Sequence, residues 1–178
     1  PGSLDEYIAH DGYQALGRAL TELGPLGLRD LVAASGLQGR GGAGFPTAKK
    51  WQLAASSPGE KRYLICNADE GEPGTFKDRL IMEGDPHAVI EGMLLAAYAT
   101  GSTQGFIYIR GEYHGSIQVM GQAIAQAKKA GLLGENIFGT DFSFQITIAT
   151  GGGAYICGEE TALLESMEGK RGEPRQKP

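Results

Sequence analysis

Three carboxylates and one carboxamide lie within a short stretch of the sequence, at Asn67, Asp69, Glu70 and Glu72. Clustered carboxylates can bind Mg²⁺ or transfer protons as general acids and bases. They can equally form a solvated acidic turn, or accept hydrogen bonds from hydroxyl and amide groups of a bound ligand. They follow a short apolar run at 63–66, which is typical of a buried parallel strand. The cluster is therefore predicted at the carboxyl end of a strand, where ligands bind in open α/β sheets.

A glycine-rich segment precedes this strand, where residues 39–47 read GRGGAGFPT. The segment matches the GxGxxG pattern, but no strand precedes it, so it lacks the context of a standard dinucleotide fingerprint. Glycine lets backbone amides approach a ligand closely, and Arg40, Lys49 and Lys50 add positive charge nearby. We interpret the segment as a cradle for an anionic cofactor in preference to a glycine-rich surface loop.

A second glycine cluster, at 151–153, leads through Tyr155 to the adjacent acids Glu159 and Glu160. Acidic residues at the start of a helix interact favourably with its dipole, by about 0.3–1 kcal/mol, which accounts for one of the two glutamates. Tyr155, like Phe45 in the first cluster, is either a core aromatic or a ring that stacks on adenine or on a flavin. The ribityl hydroxyl groups of a flavin would also donate hydrogen bonds to the acidic cluster.

The elements that position these loops alternate between strands and helices. Strands are predicted at 63–66, 106–109 and 144–149, and helices at 11–23, 28–35, 49–55, 87–100, 116–130 and 161–168. Asp85 is predicted to cap the apolar helix at 87–100, with Pro86 at its first position and Gly101 at its end. This alternation predicts one α/β domain in which a parallel sheet carries helices on both faces.

Composition narrows the range of functions. The chain has 178 residues, of which 41% are hydrophobic, enough for a single domain. Its 16 basic and 21 acidic residues give a net charge of -5, so it lacks the basic excess of nucleic-acid-binding proteins. No apolar run reaches the roughly 18–20 residues that span a bilayer, so direct membrane insertion is not expected. Cys66 and Cys157 form no CxxC pair and the histidines are scattered, so no zinc or iron-sulfur site is predicted, and no residue is assigned to a metal.

Three segments carry a resemblance to a known family. They are GRGGAGFPT at 39–47, CNADEGEPGTFKDR at 66–79 and AYICGEETALLES at 154–166. Together they resemble the 51 kDa flavoprotein family of respiratory complex I, which includes the diaphorase subunits of NAD-dependent hydrogenases and formate dehydrogenases. The resemblance covers nearly the whole chain and is weakest before Leu28.

The resemblance implies a Rossmann-like domain that holds FMN, with NADH stacked against it, in an NADH dehydrogenase-type oxidoreductase. NADH would transfer a hydride to FMN, and electrons would then pass singly to iron-sulfur clusters of a larger complex. NADH and iron-sulfur subunits are the expected partners, and the expected location is cytoplasmic or peripheral on the inner face of the membrane. Residues 1–178 would form the FMN- and NADH-binding domain of a longer protein, without the family's ubiquitin-like and iron-sulfur domains.

The resemblance also assigns residues to the two cofactors. The positions that match those lining FMN are Gly39, Arg40, Gly41, Lys50, Asn67, Asp69, Glu70, Tyr155, Gly158 and Glu159. The positions that match those facing NADH are Gly42, Ala43, Phe45, Glu72 and Glu160, and Lys177 is also expected to reach the cofactor. Glu72 and Glu160 are the candidate catalytic residues, Glu72 near the nicotinamide and Glu160 near both cofactors. Leu53 stands where the family commonly has an aromatic residue against adenine.

Two alternatives to this function remain open from the sequence. One is a nucleotide-binding module that transfers no electrons. The other is a metal-dependent phosphoryl-transfer domain that uses the carboxylates of Asp69, Glu70 and Glu72.

Overall fold

A three-stranded parallel sheet forms the centre of the fold. The structure is a computed structural model, which describes residues 2–176. The strands are β1 (Tyr63–Ala68), β2 (Gln104–Arg110) and β3 (Gln145–Gly151), in the order β1-β2-β3. The three predicted strands are confirmed, and each ends one or two residues later than predicted. Ala68 pairs with Ile109, which pairs with Thr150, so the carboxyl ends of β1 and β3 lie level across β2.

Helices make up most of the rest of the described chain. The α-helices are α1 (Leu4–Ala9), α2 (Gln14–Arg18), α3 (Gly24–Ala34), α4 (Thr47–Ser56), α5 (Lys77–Gly84), α6 (Pro86–Thr100), α7 (His114–Lys129) and α8 (Glu160–Met167). A π-helix covers Ala19–Leu23, and short 3₁₀ turns cover Ile137–Gly139 and Tyr155–Gly158. Between residues 2 and 176, no helix has both the length and the apolar character that a membrane crossing requires.

Both faces of the sheet are packed against helices. Successive residues of a strand point to opposite faces, so Ile107 and Ile109 of β2 lie together in the main core with Leu94 of α6. Tyr108 of β2 points to the other face, where it packs with Leu163 of α8. This arrangement confirms the predicted α/β fold with a parallel sheet and helices on both faces.

Helix α6 is the central helix of the main core. As predicted, Pro86 lies in its first turn, and Gly101 ends it with a left-handed φ of 73°. The predicted cap is wrong, because the side chain of Asp85 makes no hydrogen bond to the helix backbone. Asp85 is the single residue between α5 and α6, and its N–H donates to the carbonyl oxygen of Ile81 at 2.8 Å. Its backbone therefore follows the end of α5 and does not adopt the extended conformation of a capping residue.

The predicted helix at 11–23 is wrong in its extent. Helix α2 begins only at Gln14, and the chain continues as a π-helix from Ala19. The buried carboxylate of Glu91, on α6, accepts hydrogen bonds from the backbone N–H groups of Tyr13 at 2.9 Å and Leu16 at 3.0 Å. Because a residue distant in sequence satisfies these donors, the local sequence does not reveal where this helix starts.

The structure adds two helices, α1 and α5, to those predicted. Helix α1 has a local signal, since the side chain of Ser3 accepts a hydrogen bond from the N–H of Glu6 at 3.3 Å, as in a capping box. The N–H groups of Asp78 and Arg79, in the first turn of α5, donate to the carboxylate of Glu70, which lies outside the helix in the acidic loop. The first helix could therefore have been predicted from its local sequence, whereas the cap of the second depends on how the preceding loop folds.

Candidate functional site

Three loops meet at the carboxyl end of the sheet: the first glycine loop (39–45), the acidic loop (69–76) and the second glycine loop (152–158). They border a cleft of about 900 Å³, within the usual size of a small-molecule pocket. The predicted site residues that line the cleft are Arg40, Gly41, Asn67, Asp69, Glu70, Glu72, Tyr155, Gly158 and Glu159. Residues that are far apart in the sequence therefore share one cleft.

Side-chain hydrogen bonds join the two loops that follow β1 and β3. Nδ2 of Asn67 donates to the carbonyl oxygen of Gly158 at 2.9 Å. The hydroxyl group of Tyr155 donates to Oε1 of Glu72, also at 2.9 Å. Oδ1 of Asn67 accepts a hydrogen bond from the N–H of Asp69 at 3.2 Å. One wall of the cleft is thus made of two loops that polar contacts hold together.

Glu70 is a largely buried residue of the cleft wall, with 5% of its surface exposed. Its carboxylate accepts hydrogen bonds from the N–H of Asp78 at 2.9 Å, the hydroxyl of Tyr113 at 3.0 Å and the N–H of Arg79 at 3.5 Å. Burial alone raises the pKa of Glu70, but these hydrogen bonds and the Lys77 ammonium outweigh burial and hold that pKa below its ordinary value. Glu70 therefore caps α5, and protein donors occupy its carboxylate.

Asp69 has an acceptor atom that the described protein atoms do not use. Within residues 2–176, Oδ2 of Asp69 is buried and has no hydrogen-bond partner. Burial raises the pKa of this carboxyl group, the Arg110 guanidinium lowers it and the Glu112 carboxylate raises it. A ligand donor would satisfy this oxygen, and an unsatisfied buried acceptor is costly. The ribityl hydroxyl groups of FMN are such donors, so Asp69 fits this cofactor.

The first glycine loop brings positive charge to the cleft. The N–H of Gly39 donates to the carbonyl oxygen of Phe45 at 2.9 Å and closes the loop. No described atom outside the adjoining residues lies within 4 Å of the place that a Cβ on Gly41 would take, so the loop leaves open space there. Arg40 donates one hydrogen bond to the carbonyl oxygen of Gln38 at 3.1 Å. A guanidinium group has five N–H donors, so Arg40 can also bind the phosphate of FMN.

The adjacent acids Glu159 and Glu160 have different environments. Oε2 of Glu159 accepts hydrogen bonds from the N–H groups of Thr161 and Ala162, both at 2.9 Å, and from the Thr161 hydroxyl at 2.6 Å. Glu159 therefore caps α8, in agreement with the helix-terminus role predicted for one glutamate of the pair. Glu160 is the exposed first residue of α8 and is not among the residues that line the cleft.

The other predicted site residues do not line the cleft. Lys177 lies outside the described residues. Lys50 is exposed on α4, and Phe45, the last residue of the first glycine loop, is 44% exposed. Lys49 borders a second cavity, of about 680 Å³, between α3 and α4. The full set of predicted residues that do not line the cleft is Gly39, Gly42, Ala43, Phe45, Lys50 and Glu160.

Some contributors to the site were missed from the sequence. Thr75 and Lys77 line the cleft, and Arg110 lies behind it, where Nη1 donates to the carbonyl oxygen of Glu70 at 2.9 Å. The Arg110 guanidinium also lies 5.7 Å from the ring centre of Tyr113. The available signal was the position of Arg110 at the carboxyl end of β2, because ligand sites form beyond the carboxyl ends of parallel strands.

The three carboxylates of the acidic loop have different surroundings. Glu70 caps α5, Glu72 accepts from Tyr155, and Oδ2 of Asp69 is buried. Within residues 2–176, no group of three or more His, Cys, Asp and Glu residues could hold a metal ion. Because these carboxylates do not converge, they do not form the oxygen-rich site on which the metal-dependent alternative relies.

Comparison with known proteins identifies the family of the chain. A family model described as the Nuo51 FMN-binding domain matches residues 32–178, which include the three loops of the cleft. The chain belongs to the Nuo51 FMN-binding domain family. The family resemblance predicted from the sequence is thereby confirmed.

Curated relatives of this Nuo51-family chain are subunits of oxidoreductases. An NADH-quinone oxidoreductase subunit of Aquifex aeolicus is 58% identical over 176 residues, which are 99% of this chain and 41% of the relative. The HndC subunit of the NADP-reducing hydrogenase of Solidesulfovibrio fructosivorans is 54% identical over 178 residues, which are 100% of this chain and 36% of the relative. The chain thus spans less than half of the length of these relatives. The prediction of FMN and NAD(H) as cofactors is confirmed by the family and these relatives.

Solved structures show the same Nuo51-family fold. An NAD⁺-reducing nickel-iron hydrogenase in the H₂-reduced state superposes with a TM-score of 0.83 at 40% identity. The similarity covers 100% of this chain and 30% of the hydrogenase chain. The α/β fold is therefore shared with a much longer oxidoreductase chain.

Proposed function

We propose that this chain is the FMN- and NADH-binding domain through which electrons from NADH enter a larger oxidoreductase. The observation that carries the proposal is the single cleft in which the first glycine loop, the acidic loop and the second glycine loop meet. Bound FMN would supply the redox chemistry, namely hydride acceptance from NADH and single-electron transfer to iron-sulfur clusters.

The residues of the cleft then bind and orient the cofactors. Arg40 and the open backbone at Gly41 would hold the phosphate of FMN. The buried Oδ2 of Asp69 would accept a hydrogen bond from a ribityl hydroxyl group. Glu72, which lines the same cleft, would bind the nicotinamide end of NADH. Orientation of two stacked rings is the main catalytic contribution of the protein in this proposal, without a side-chain acid or base.

Glu160 is the second candidate catalytic residue. Its position at the start of α8 places it one residue from Glu159, which does line the cleft. We retain the proposal that Glu160 affects nucleotide affinity or flavin potential. Glu160→Gln should alter at least one of these two quantities, and unchanged values of both would remove this residue from the site.

The partners, location and domain organisation follow from the same proposal. The relatives are much longer subunits of larger enzymes, and the family resemblance makes iron-sulfur subunits the proposed electron acceptors. The proposed location is cytoplasmic or peripheral on the inner face of the membrane. The ubiquitin-like and iron-sulfur domains of the family would lie outside the sequence of this FMN- and NADH-binding domain.

A flavin spectrum tests the proposed function. The purified chain, loaded with FMN and freed of excess cofactor, should be yellow, and anaerobic addition of NADH should bleach its flavin absorbance. A chain that binds NADH tightly but no flavin would instead be a nucleotide-binding module. A colourless chain whose stability responds to Mg²⁺ would support the metal-dependent alternative, and either result would overturn the proposal.

A further inference from the structure

One hydrogen bond connects the second glycine loop with the acidic loop inside the cleft. The hydroxyl group of Tyr155 donates to Oε1 of Glu72 at 2.9 Å, although 83 positions separate the two residues. Both residues line the cleft, and Tyr155 is 62% exposed. A ligand that enters the cleft can therefore reach both groups.

The position of the Tyr155 ring is determined by its neighbours. A Cβ on Gly71 would lie only 3.2 Å from Cδ2 and 3.5 Å from Cα of Tyr155, so the absence of a side chain at Gly71 makes room for the ring. The 3₁₀ turn that begins at Tyr155 ends at Gly158, whose carbonyl oxygen accepts the hydrogen bond from Asn67. Contacts with β1 and the acidic loop therefore fix both ends of this turn, and the phenol group lies where Glu72 can accept its hydrogen bond.

The hydrogen bond orders the carboxylate of Glu72 without saturating it. An ionised carboxylate has about four acceptor positions on its two oxygens, and the Tyr155 hydroxyl occupies one of them. Donors on a ligand can therefore still bind Glu72. A flexible glutamate loses rotamer freedom when it binds a ligand, and this loss weakens binding unless the side chain is already ordered.

We infer that Tyr155 is a positioning residue, whose hydroxyl group holds the Glu72 carboxylate ready to bind the nucleotide that delivers the hydride. This inference rests on the proposed function, because it assigns Tyr155 a role in binding NADH beside the expected contact of its ring with FMN. The Glu72 carboxylate raises the pKa of Tyr155, chiefly through the hydrogen bond. The phenol group therefore stays protonated and remains a donor at neutral pH.

Removal of the hydroxyl group tests the inference. NAD⁺ is titrated calorimetrically into the oxidised, FMN-loaded chain, so that binding is measured without turnover, and the KM for NADH is measured with ferricyanide as acceptor. Tyr155→Phe should raise the Kd for NAD⁺ and the KM for NADH by about three- to tenfold, and should change kcat less than KM. The matched control is Tyr63→Phe, at the amino end of β1, which should leave both constants within about 1.5-fold of the unmodified chain.

A double-mutant cycle shows whether Tyr155 acts through Glu72. In a Glu72→Ala background the phenol group has no carboxylate to hold, so Tyr155→Phe should have almost no further effect on the Kd or the KM. Equal NAD⁺ affinity of Tyr155→Phe and the unmodified chain would overturn the inference, as would an undiminished effect of Tyr155→Phe in the Glu72→Ala background. These results leave the proposed function intact, whereas failure of the unmodified chain to bind FMN would overturn the proposed function and this inference together.

Discussion

Nδ2 of Asn67, near the end of β1, donates a hydrogen bond to the carbonyl oxygen of Gly158 at 2.9 Å, across 91 positions of sequence. β2 lies between β1 and β3, so the loops that follow these outer strands start from opposite edges of the sheet. The Asn67 side chain joins them on the side where the cleft forms. The shape of the cleft therefore depends on a tertiary hydrogen bond as well as on the two loops themselves.

Asn67→Asp should weaken FMN binding by about tenfold and lower Tm by about 2–4 °C. Aspartate keeps the acceptor for the N–H of Asp69 but loses the donor to Gly158 and places a negative charge beside a carbonyl oxygen. Flavin fluorescence titration and thermal unfolding measure the two effects. Gln145→Glu, an exposed amide-to-acid change at the amino end of β3, is the control and should change neither quantity. FMN affinity equal to that of the unmodified chain would show that this link does not shape the site.

Glu70→Gln should destabilise the chain at pH 7 by about 1–3 kcal/mol, because the backbone donors of α5 and the Tyr113 hydroxyl lose a charged acceptor. The pKa of Glu70 is lower in the folded chain than its ordinary value, since these hydrogen bonds outweigh the effect of burial. Its stabilising contribution is therefore complete above the ordinary glutamate value of about 4.3 and is lost as the pH falls through the folded-state pKa.

Urea unfolding at several pH values checks this dependence. The difference in unfolding free energy between the unmodified chain and Glu70→Gln should shrink as the pH falls below about 4.3. The exposed Glu60 provides the control variant Glu60→Gln. Its unfolding free energy at neutral pH should stay within about 0.5 kcal/mol of that of the unmodified chain. A difference that does not vary with pH would mean that the ionised carboxylate of Glu70 is not the stabilising group.

Asp69→Asn should affect stability and FMN binding in opposite directions. Burial raises the pKa of Asp69, so its stabilising effect is present at low pH and is lost as the pH rises through the folded-state value. At neutral pH the neutral amide should raise the Tm of the flavin-free chain, because it removes a charge that burial disfavours. The expected rise is only about 1–2 °C, because water screens part of that charge. The same change should weaken FMN binding by about tenfold or more, since a charged acceptor is lost.

Thermal unfolding without flavin and flavin titration give the two readouts for Asp69. The control variant Asp141→Asn, at an exposed aspartate outside the site, should change neither the Tm nor the FMN affinity. A lower Tm together with unchanged FMN affinity would contradict the assignment of Oδ2 as an acceptor kept for a ligand.

Glu159→Ala should lower stability by about 0.5–2 kcal/mol, because α8 loses the side chain that accepts from the N–H groups of Thr161 and Ala162. Chemical denaturation measures the loss of stability. The matched control is Glu135→Ala, at an exposed glutamate far from α8 in sequence, which should not show this loss. Full stability of Glu159→Ala would show that α8 needs no cap from this residue.

Arg40→Gln should weaken FMN binding by about ten- to a hundredfold and riboflavin binding by less than about twofold. The two flavins differ in the phosphate group, which is the proposed partner of the Arg40 guanidinium. Competition titrations of the two flavins with the unmodified chain and the variant measure the effect, with Arg171→Gln, at an exposed surface arginine, as control. Equal loss of affinity for both flavins would place Arg40 against another part of the cofactor.

Much of the fold was predictable because its signals are local. The apolar runs at β1, β2 and β3, the proline at the start of α6 and the glycine at its end are each visible within a few residues. Helix α2 was misplaced because the acceptor for the N–H groups of Tyr13 and Leu16 is Glu91, which lies 78 and 75 positions away from them. Helix α5 was missed because its cap is Glu70, which the sequence alone presents as one more acid of a polar loop.

The sequence by itself indicated the family, through the resemblance of the segments at 39–47, 66–79 and 154–166, and it placed two loops of the candidate site after strands, because residue identity and strand pattern are properties of the chain itself. Only the tertiary structure decided what each carboxylate of the acidic loop does. Glu70 caps α5 and Glu72 accepts a hydrogen bond from Tyr155, whereas the buried Oδ2 of Asp69 has no hydrogen-bond partner within residues 2–176. The physical reason is that a carboxylate takes its role from the donors around it, and folding brings several of those donors from distant parts of the sequence.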